Sequence, residues 1–243
     1  MAKQPMDPYK AIARFYDDIT SERSDIDFVA NLIAKYHPKA QTVLDLGCGT
    51  GTTLCYLSKI FEVTGLDQSS AMLKIAKSKM LHGKFLQGDM RSFALTERFD
   101  VIACLLDTIN HLLSFSEWKQ VFKNAHKHLN PGGVFIFDVN TEAKYHHFMQ
   151  ASPFVEDDSE SILIFEVTKA SKNIFALHSK VFEKQRSGLY KFSESCVSER
   201  TFPMPQIRSN LEKRFQAVYM KDIERSRVTS ESQMVYFICK KRR

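Results

Sequence analysis

Nine residues, Val43-Leu44-Asp45-Leu46-Gly47-Cys48-Gly49-Thr50-Gly51, restrict the fold of this chain more than any other stretch. They start as a short apolar run, the pattern of a strand buried on both faces in a parallel sheet. Three glycines then alternate with small residues, and Thr52-Thr53-Leu54 opens a helical pattern. Strand, tight turn and helix N-terminus in succession form a seat for the polar part of a nucleotide-like ligand. Glycine admits positive φ and lets a ligand approach the backbone, and the first helical N–H groups have no partner inside the helix.

A second strand, Phe61-Glu62-Val63-Thr64-Gly65-Leu66, ends in Asp67, which lies 20 residues beyond Gly47. An acid at that strand tip accepts ribose hydroxyls. The glycine spacing narrows the ligand further. A dinucleotide fingerprint reads G-x-G-x-x-G, whereas this chain reads G-x-G-x-G, with Thr52 where a third glycine would fall. A nicotinamide or flavin cofactor is therefore disfavoured.

With these residues in view, the chain resembles the class I S-adenosylmethionine-dependent methyltransferases. Val43 to Gly51 is similar to their glycine-rich motif. The resemblance continues through Gly65-Leu66-Asp67-Gln68-Ser69-Ser70-Ala71-Met72-Leu73, Leu86-Gln87-Gly88-Asp89-Met90, Phe99-Asp100-Val101-Ile102-Ala103 and Leu129-Asn130-Pro131-Gly132-Gly133. Five motifs in family order span Val43 to Asn140. The resemblance implies an α/β fold, a Rossmann-like, mostly parallel sheet of seven strands with helices on both faces. It also implies S-adenosyl-L-methionine as cofactor and S-adenosyl-L-homocysteine as product. The implied contacts are Tyr16, Asp45, Gly47, Cys48, Gly49, Gly51, Asp67, Gln68, Met72, Asp89, Met90 and Leu105. In the family the acid at the third strand tip meets the adenine amine, which puts Asp89 there and the Met90 N–H on a ring nitrogen. A carboxylate only accepts, so it suits an amino donor. On its own, Asp89 reads equally well as the N-cap of a following helix.

Composition bounds the rest. A chain of 243 residues, 44% hydrophobic and 26% charged, suits one soluble domain with a sizeable core and an insertion. No apolar run reaches membrane-spanning length, and Met1-Ala2-Lys3-Gln4-Pro5 lacks the apolar core of a secretory signal. Five scattered cysteines without a C-x-x-C pair support neither a zinc site nor a disulfide framework, so a reducing cytoplasm is expected. The net charge of +6 permits RNA or an anionic membrane as a partner, but part of it sits in Lys240-Lys241-Arg242-Arg243, which reads as a solvated end.

Taken in order, Ile12, Phe15, Tyr16 and Ile19 stand at helical spacing and predict a helix over Tyr9 to Asp18 lying against the sheet. The resemblance turns Tyr16 toward the ligand; Phe15 reads as core. Ser24 is placed to cap a helix through Phe28, Leu32, Ile33 and Tyr36 that Pro38 stops. The third strand is Phe85 to Gln87, and the fourth is the apolar run Val101 to Leu105. Past its carboxyl end come Asp107 and His111, where substrates of open α/β sheets bind. Asp107 reads as substrate contact or as helix cap; His111 reads as structural. A helix from Ser116 to Leu129 is broken by Asn130-Pro131-Gly132-Gly133, and Val134 to Phe137 forms the fifth strand. Asp138 and Asn140 at its tip share a face and could reach the pocket.

Beyond Thr141, the segments 162–167, 174–182 and 189–202 alternate as strands joined by short turns, an antiparallel meander. Helix from Pro205 to Phe215 and strands near Ala217 to Lys221 and Met234 to Cys239 would close the main sheet. The domain expectation is thus one unit, 1–243, with a lid inserted at about 150–203. Some methyltransferases with such a lid carry Glu-x-His late in it. Here Ser195-Cys196-Val197-Ser198-Glu199-Arg200 lacks the His, so no role built on it is carried over.

Methyl transfer from a sulfonium is an in-line displacement from an activated donor, so the protein supplies mainly alignment and desolvation. A general base is needed only if the acceptor must lose a proton. Asp107, His111 and Tyr16 are the candidates, with His146-His147 read as an inert loop. His126 and His128 are two apart on a helix and form no metal site; no metal is expected. The reading is a methyltransferase for a small molecule held under the lid. The alternatives are an RNA (tRNA or rRNA) methyltransferase and a non-catalytic S-adenosylmethionine-binding partner subunit. No motif specifies the acceptor atom or an oligomeric state.

Overall fold

The computed structural model describes residues 7–19, 25–80, 83–157 and 160–243. In place of one helix over Tyr9 to Asp18, the chain makes a turn, a 3-10 turn at Ala13–Phe15 and a short helix α1 (Tyr16–Ile19). The segment is pulled in two directions, which a straight helix could not follow. Ile12 and Phe15 pack on Leu163 and Val181 of the lid and not on the main sheet. Asp7 bonds Ser69, and Asp17 bonds Thr50 and Thr52.

Helix α2 (Asp25–Tyr36) follows; Ser24, its expected cap, lies outside the described residues. Then come β1 (Thr42–Leu46), α3 (Thr52–Leu57), β2 (Glu62–Asp67), α4 (Ser70–Lys79), β3 (Lys84–Gln87) and β4 (Phe99–Cys104). A 3-10 turn at Thr108–His111 leads to α5 (Phe115–His128), whose N-terminus Ser114 and Glu117 close as a reciprocal capping box. The strand β5 (Leu129–Asn140) starts directly at the helix end. The breaker run Asn130 to Gly133 is not a loop between them but a bulge in the strand. Phe99 faces Leu129 while Val101 faces Val134, and Gly132 takes φ +79° to absorb the extra residues.

The seven-stranded sheet has the order β10-β11-β5-β4-β1-β2-β3, with β10 (Ala217–Lys221) and β11 (Met234–Lys240) at one edge. β11 runs opposite in direction to the other six strands of this sheet. The chain winds outward from β1 to β3, then returns to lay β4 on the other side of β1. That reversal opens a crevice at the carboxyl ends of β1 and β4. Alternation along the central strands fills two cores. Leu44, Ile102, Phe135 and Phe137 join Trp118 and Phe122 of α5 on one face, while Val43, Val101, Val134 and Ile136 join Val29 and Ile33 of α2 on the other.

Between β5 and α7 (Met204–Leu211) lies the insertion. It begins with α6 (Glu142–Ala151), a helix where the sequence suggests a loop, so His146 and His147 are helical. Its apolar side is short, and Tyr145 is buried because it stacks on Phe175 at 4.1 Å, a partner distant in sequence. The lid itself is an antiparallel sheet of β6 (Phe154–Asp157), β7 (Ser161–Ser171), β8 (Ile174–Lys184) and β9 (Tyr190–Arg200). β6 is a strand the pattern did not announce, since all four of its residues are exposed. The inner end of β9 reaches the sheet tip, where Asn110 Nδ2 donates to Arg200 O at 3.0 Å.

Phe137 sits 5.0 Å from Phe237, 4.9 Å from Phe135 and 5.4 Å from Phe122, fully buried. Phe137→Ala is expected to cost about 3–5 kcal/mol. Urea unfolding should show a lower midpoint at unchanged slope.

Candidate active site

The loop after β1 is built on three left-handed glycines, Gly47 (φ +75°), Gly49 (φ +53°) and Gly51 (φ +78°). They serve different ends. A Cβ on Gly47 would lie 2.2 Å from Thr108 Cγ2, and one on Gly51 3.0 Å from Ala76 Cβ, so both allow close packing of protein on protein. A Cβ on Gly49 would meet only the Tyr16 ring, at 3.9 Å. Gly49 is thus the glycine whose missing side chain faces the cleft.

The loop is pinned to the tip of β2. Gly47 and Cys48 N–H donate to Leu66 O (2.7 and 3.1 Å), and Gly49 N–H donates to Asp67 Oδ2 (2.8 Å). Asp67 Oδ1 accepts from Ser69 N–H at 2.8 Å. Burial raises the Asp67 pKa, against these N–H bonds, which favour its charge. Tyr16, Asp45, Gly47, Cys48, Gly49 and Leu105 line one cleft. About 20 Å³ of the cleft is open. Tyr16 stands at its wall, and the segment from Asp7 to Asp17 spans it, with Asp7 on Ser69 (2.6 Å) and Asp17 on Thr50 (2.6 Å) and Lys79.

The other expected contacts divide. Asp89 is engaged by Arg91, whose Nε donates to both its oxygens at 2.9 Å, and Arg91 also pairs with Glu117. That pairing holds the Asp89 carboxyl below its ordinary pKa in spite of burial. Asp89 caps a turn through Arg91 N–H (2.8 Å) and not a helix. Gln68 O accepts from Gln87 Nε2 at 3.2 Å. Met72 is buried on α4, Met90 packs on the core beside α5, and Gly51 faces α4.

The crevice continues past β4. Leu106 and Asp107 adopt φ +59° and +55°, a conformation costly for residues with a Cβ. Asp138, fully buried, compensates by accepting Leu106 N–H (2.6 Å) and Asp107 N–H (2.7 Å). Asn140 Nδ2 donates to Asp107 Oδ2 at 2.7 Å, and Asn110 holds Asn140. Asp138 and Asn140 therefore stand behind Asp107 and fix it; they do not reach the pocket first.

His111 belongs to the site. Its Nε2 lies 2.8 Å from Tyr9 Oη and its Nδ1 3.7 Å from Glu199 Oε1. Glu199, 1% exposed on β9, accepts from Tyr145 Oη at 2.6 Å. Ligand atoms of Asp107, His111 and Glu199 all lie within 4.8 Å of one another. Burial, then the Asp107 charge, pushes the Glu199 pKa well up, and burial lowers that of His111 against the pull of Asp107. Burial and neighbouring acids push up the Tyr9 phenol. Glu199, Tyr9 and Tyr145 had not been singled out. Glu199 left one trace, an acid paired with buried Phe175 on the inward face of a strand. His126 and His128 lie elsewhere, against Phe215 and bonded to Leu95 N–H.

Residues 43–133 match the family model described as a methyltransferase domain. With the sheet order and the glycine loop, this match makes the chain an S-adenosylmethionine-dependent methyltransferase. The chain is 29% identical over 208 residues to the putative methyltransferase YqeM of Bacillus subtilis, covering 84% of each. It is 36% identical over 132 residues, 52% of this chain and 53% of the other, to dTDP-4-amino-2,3,4,6-tetradeoxy-D-glucose N,N-dimethyltransferase of Saccharopolyspora spinosa. Its fold matches that of an S-adenosylmethionine-dependent methyltransferase from Clostridium acetobutylicum with a TM-score of 0.80, at 24% identity over 97% of this chain and 99% of that one. No helix among the described residues is long and apolar enough to cross a membrane.

Burial, with the Asp107 charge, raises the Asp138 carboxyl to about 7 in the fold, from about 3.9 in an unfolded chain. Its contribution to stability is complete below about pH 4 and lost as pH rises through about 7. The stability difference between wild type and Asp138→Asn, from urea titrations, should shift by a few kcal/mol against the wild type over that window. A difference independent of pH contradicts the assignment.

Proposed function

We propose that this enzyme methylates a small molecule held between the tips of β4 and β5 and the lid. The observation that carries the reading is the cluster of Tyr9, Asp107, His111 and Glu199. It directly adjoins Leu105 and Leu106, which line the glycine-loop cleft, and β9 roofs it. The Saccharopolyspora relative, named for a sugar nucleotide substrate, supports an acceptor of that size. The lid at about 150–203 is then part of one catalytic unit. Five free cysteines accord with a reducing cytoplasm.

When bound, S-adenosylmethionine supplies a methyl group on a positively charged sulfur that departs as a neutral thioether. The loop around Gly47 and Gly49, with Asp45, would hold its polar chain, and Asp67 would accept from its ribose. The donor set fits, because Asp67 already faces the loop and is acceptor-only while Gly49 leaves room for approach. Asp89 serves the adenine end once its Arg91 pairing yields an oxygen. Tyr16 and the 7–17 segment exclude water, which strengthens every charge interaction inside. Neutral His111 accepts the Tyr9 O–H at Nε2 and turns Nδ1 toward Glu199, a tautomer assigned from the network. Proton removal from an acceptor would run through these groups, with Asp107 oriented by Asn140.

An RNA acceptor is the second reading. Lys10, Lys74, Lys180 and Lys191 line an open groove of about 1190 Å³ between α4 and the lid. The acidic acceptor cluster lies across the 7–17 segment from it and disfavours phosphates. RNA binding with a steep salt dependence would favour this second reading.

Calorimetry with S-adenosylhomocysteine tests the donor assignment. Wild type should bind. Gly49→Ala adds a Cβ in the cleft at a left-handed position and should lower affinity about tenfold or more, with a folding cost of roughly 1–2 kcal/mol. Absence of binding by the wild type removes the reading.

A further inference from the structure

We infer that two copies of this chain pair through the outward faces of their lids, back to back about a two-fold axis that runs between β7 and β8. The inference stands independently of which molecule is methylated.

Strand β7 carries the signal. An antiparallel sheet with one covered face alternates apolar and polar residues, whereas Ile162-Leu163-Ile164-Phe165 is apolar without a break. That is the pattern of a strand covered on both sides. The inward side is accounted for within the chain. Leu163 and its register partner Val181 hold Ile12 of the N-terminal segment, and Phe165 meets Phe148 of α6.

On the outward side, Ile162, Phe182 and Phe192 stand level across three strands, and Val155 and Ile164 stand level in the next row. The Phe182 and Phe192 rings meet at 5.1 Å, yet Phe192 keeps 49% of its surface exposed and Val155 keeps 59%. Tyr190, level with Lys184 and 50% exposed, extends the same face. A contiguous apolar patch of this kind marks an interaction surface.

The charges on the face indicate its occupant. Asp157 and Glu166 lie on the β6–β7 half, and Lys180 and Lys184 lie on β8. Glu166, Lys180 and Lys184 form no ion pair with another described residue. A two-fold axis between β7 and β8, parallel to the strands, keeps each row level and exchanges the halves. Ile162 of one copy then lies over Phe182 of the other, and Glu166 lies over His178 and Lys180. Such self-complementarity is what an isologous interface requires. Asp157 on β6 and Glu194 on β9 fall at the rim, where charges stay solvated. An anionic membrane is the poorer occupant, because Asp157, Glu166 and Glu194 share the face with the two lysines. Glu199 lies on the opposite face of β9, level with Phe175, so the pairing does not obstruct it.

Four strands about 4.8 Å apart and about seven residues deep, at about 3.4 Å each, give a footprint of roughly 450 Å² per copy. That is at the low end for a specific interface, so the dimer should form in the micromolar range.

Sedimentation velocity of the full chain tests the pairing. The wild type should pass from monomer to dimer as its concentration rises through the micromolar range. Phe192→Lys, at a position already half-exposed, should weaken association about tenfold or more while the far-UV spectrum is unchanged. Glu166→Lys and Lys180→Glu should each weaken it too, since each sets like charges against one another. An equimolar mixture of those two variants should regain the wild-type association, because every contact between positions 166 and 180 then joins a lysine to a glutamate. A wild type that stays monomeric throughout the range would overturn the inference. So would a dimer that all three variants leave unchanged, or a mixture no stronger than its components. Vesicles of phosphatidylcholine and phosphatidylserine should not carry the wild type upward in a flotation gradient; binding that Phe192→Lys abolishes would give the face to a membrane instead.

Discussion

The hydrogen bond from Gly49 N–H to Asp67 Oδ2, 2.8 Å long, ties the loop after β1 to the tip of β2. Parallel pairing prepares it: Leu46 lies beside Leu66, so Asp67 emerges level with the start of the loop. Gly65 permits the approach, since a Cβ there would come within 2.7 Å of Cys48 Sγ and Leu54 Cδ1. Three positive-φ glycines at alternate positions would otherwise be a loose turn. Held at Leu66 O and Asp67, they keep one defined shape beside the cleft.

A second constraint governs the acceptor side. Leu106 and Asp107 are held left-handed because one buried carboxylate, Asp138, takes both their amides. The turn aims Asp107 at a space that β9 closes with Glu199. In the proposed reading the main sheet would supply the donor seat and half of the acceptor seat, and the insertion the other half. Concentrating acids in a buried place lowers stability near neutral pH. A site of this kind persists because the surrounding fold over-determines it.

Most of the main sheet could be read in advance. Its strands are apolar runs bounded by glycine, and the motifs come in topological order; Tyr16, Asp45, Gly49 and Leu105 line one cleft. What escaped depended on contacts remote in sequence. The N-terminal segment is bent by partners in the lid and the glycine loop, and α6 is secured by Tyr145 on Phe175, 30 residues away. The neighbours of His111, Tyr9 and Glu199, lie on other elements, so its surroundings could not be read from local spacing. Asp89 carried the right chemistry, but Arg91, two residues on, claims its carboxylate. The breaker run near the start of β5 is a bulge because strand pairing with Phe99 and Val101 continues on either side of it.

A crystal structure of the chain with S-adenosylhomocysteine bound tests the central claim most directly. The account predicts both ribose hydroxyls on the Asp67 carboxylate, the amino-acid end against Gly47 to Gly49, and the 7–17 segment moved to admit the ligand. A ligand bound elsewhere, with the Asp67 carboxylate still bonded only to protein amides, would contradict it.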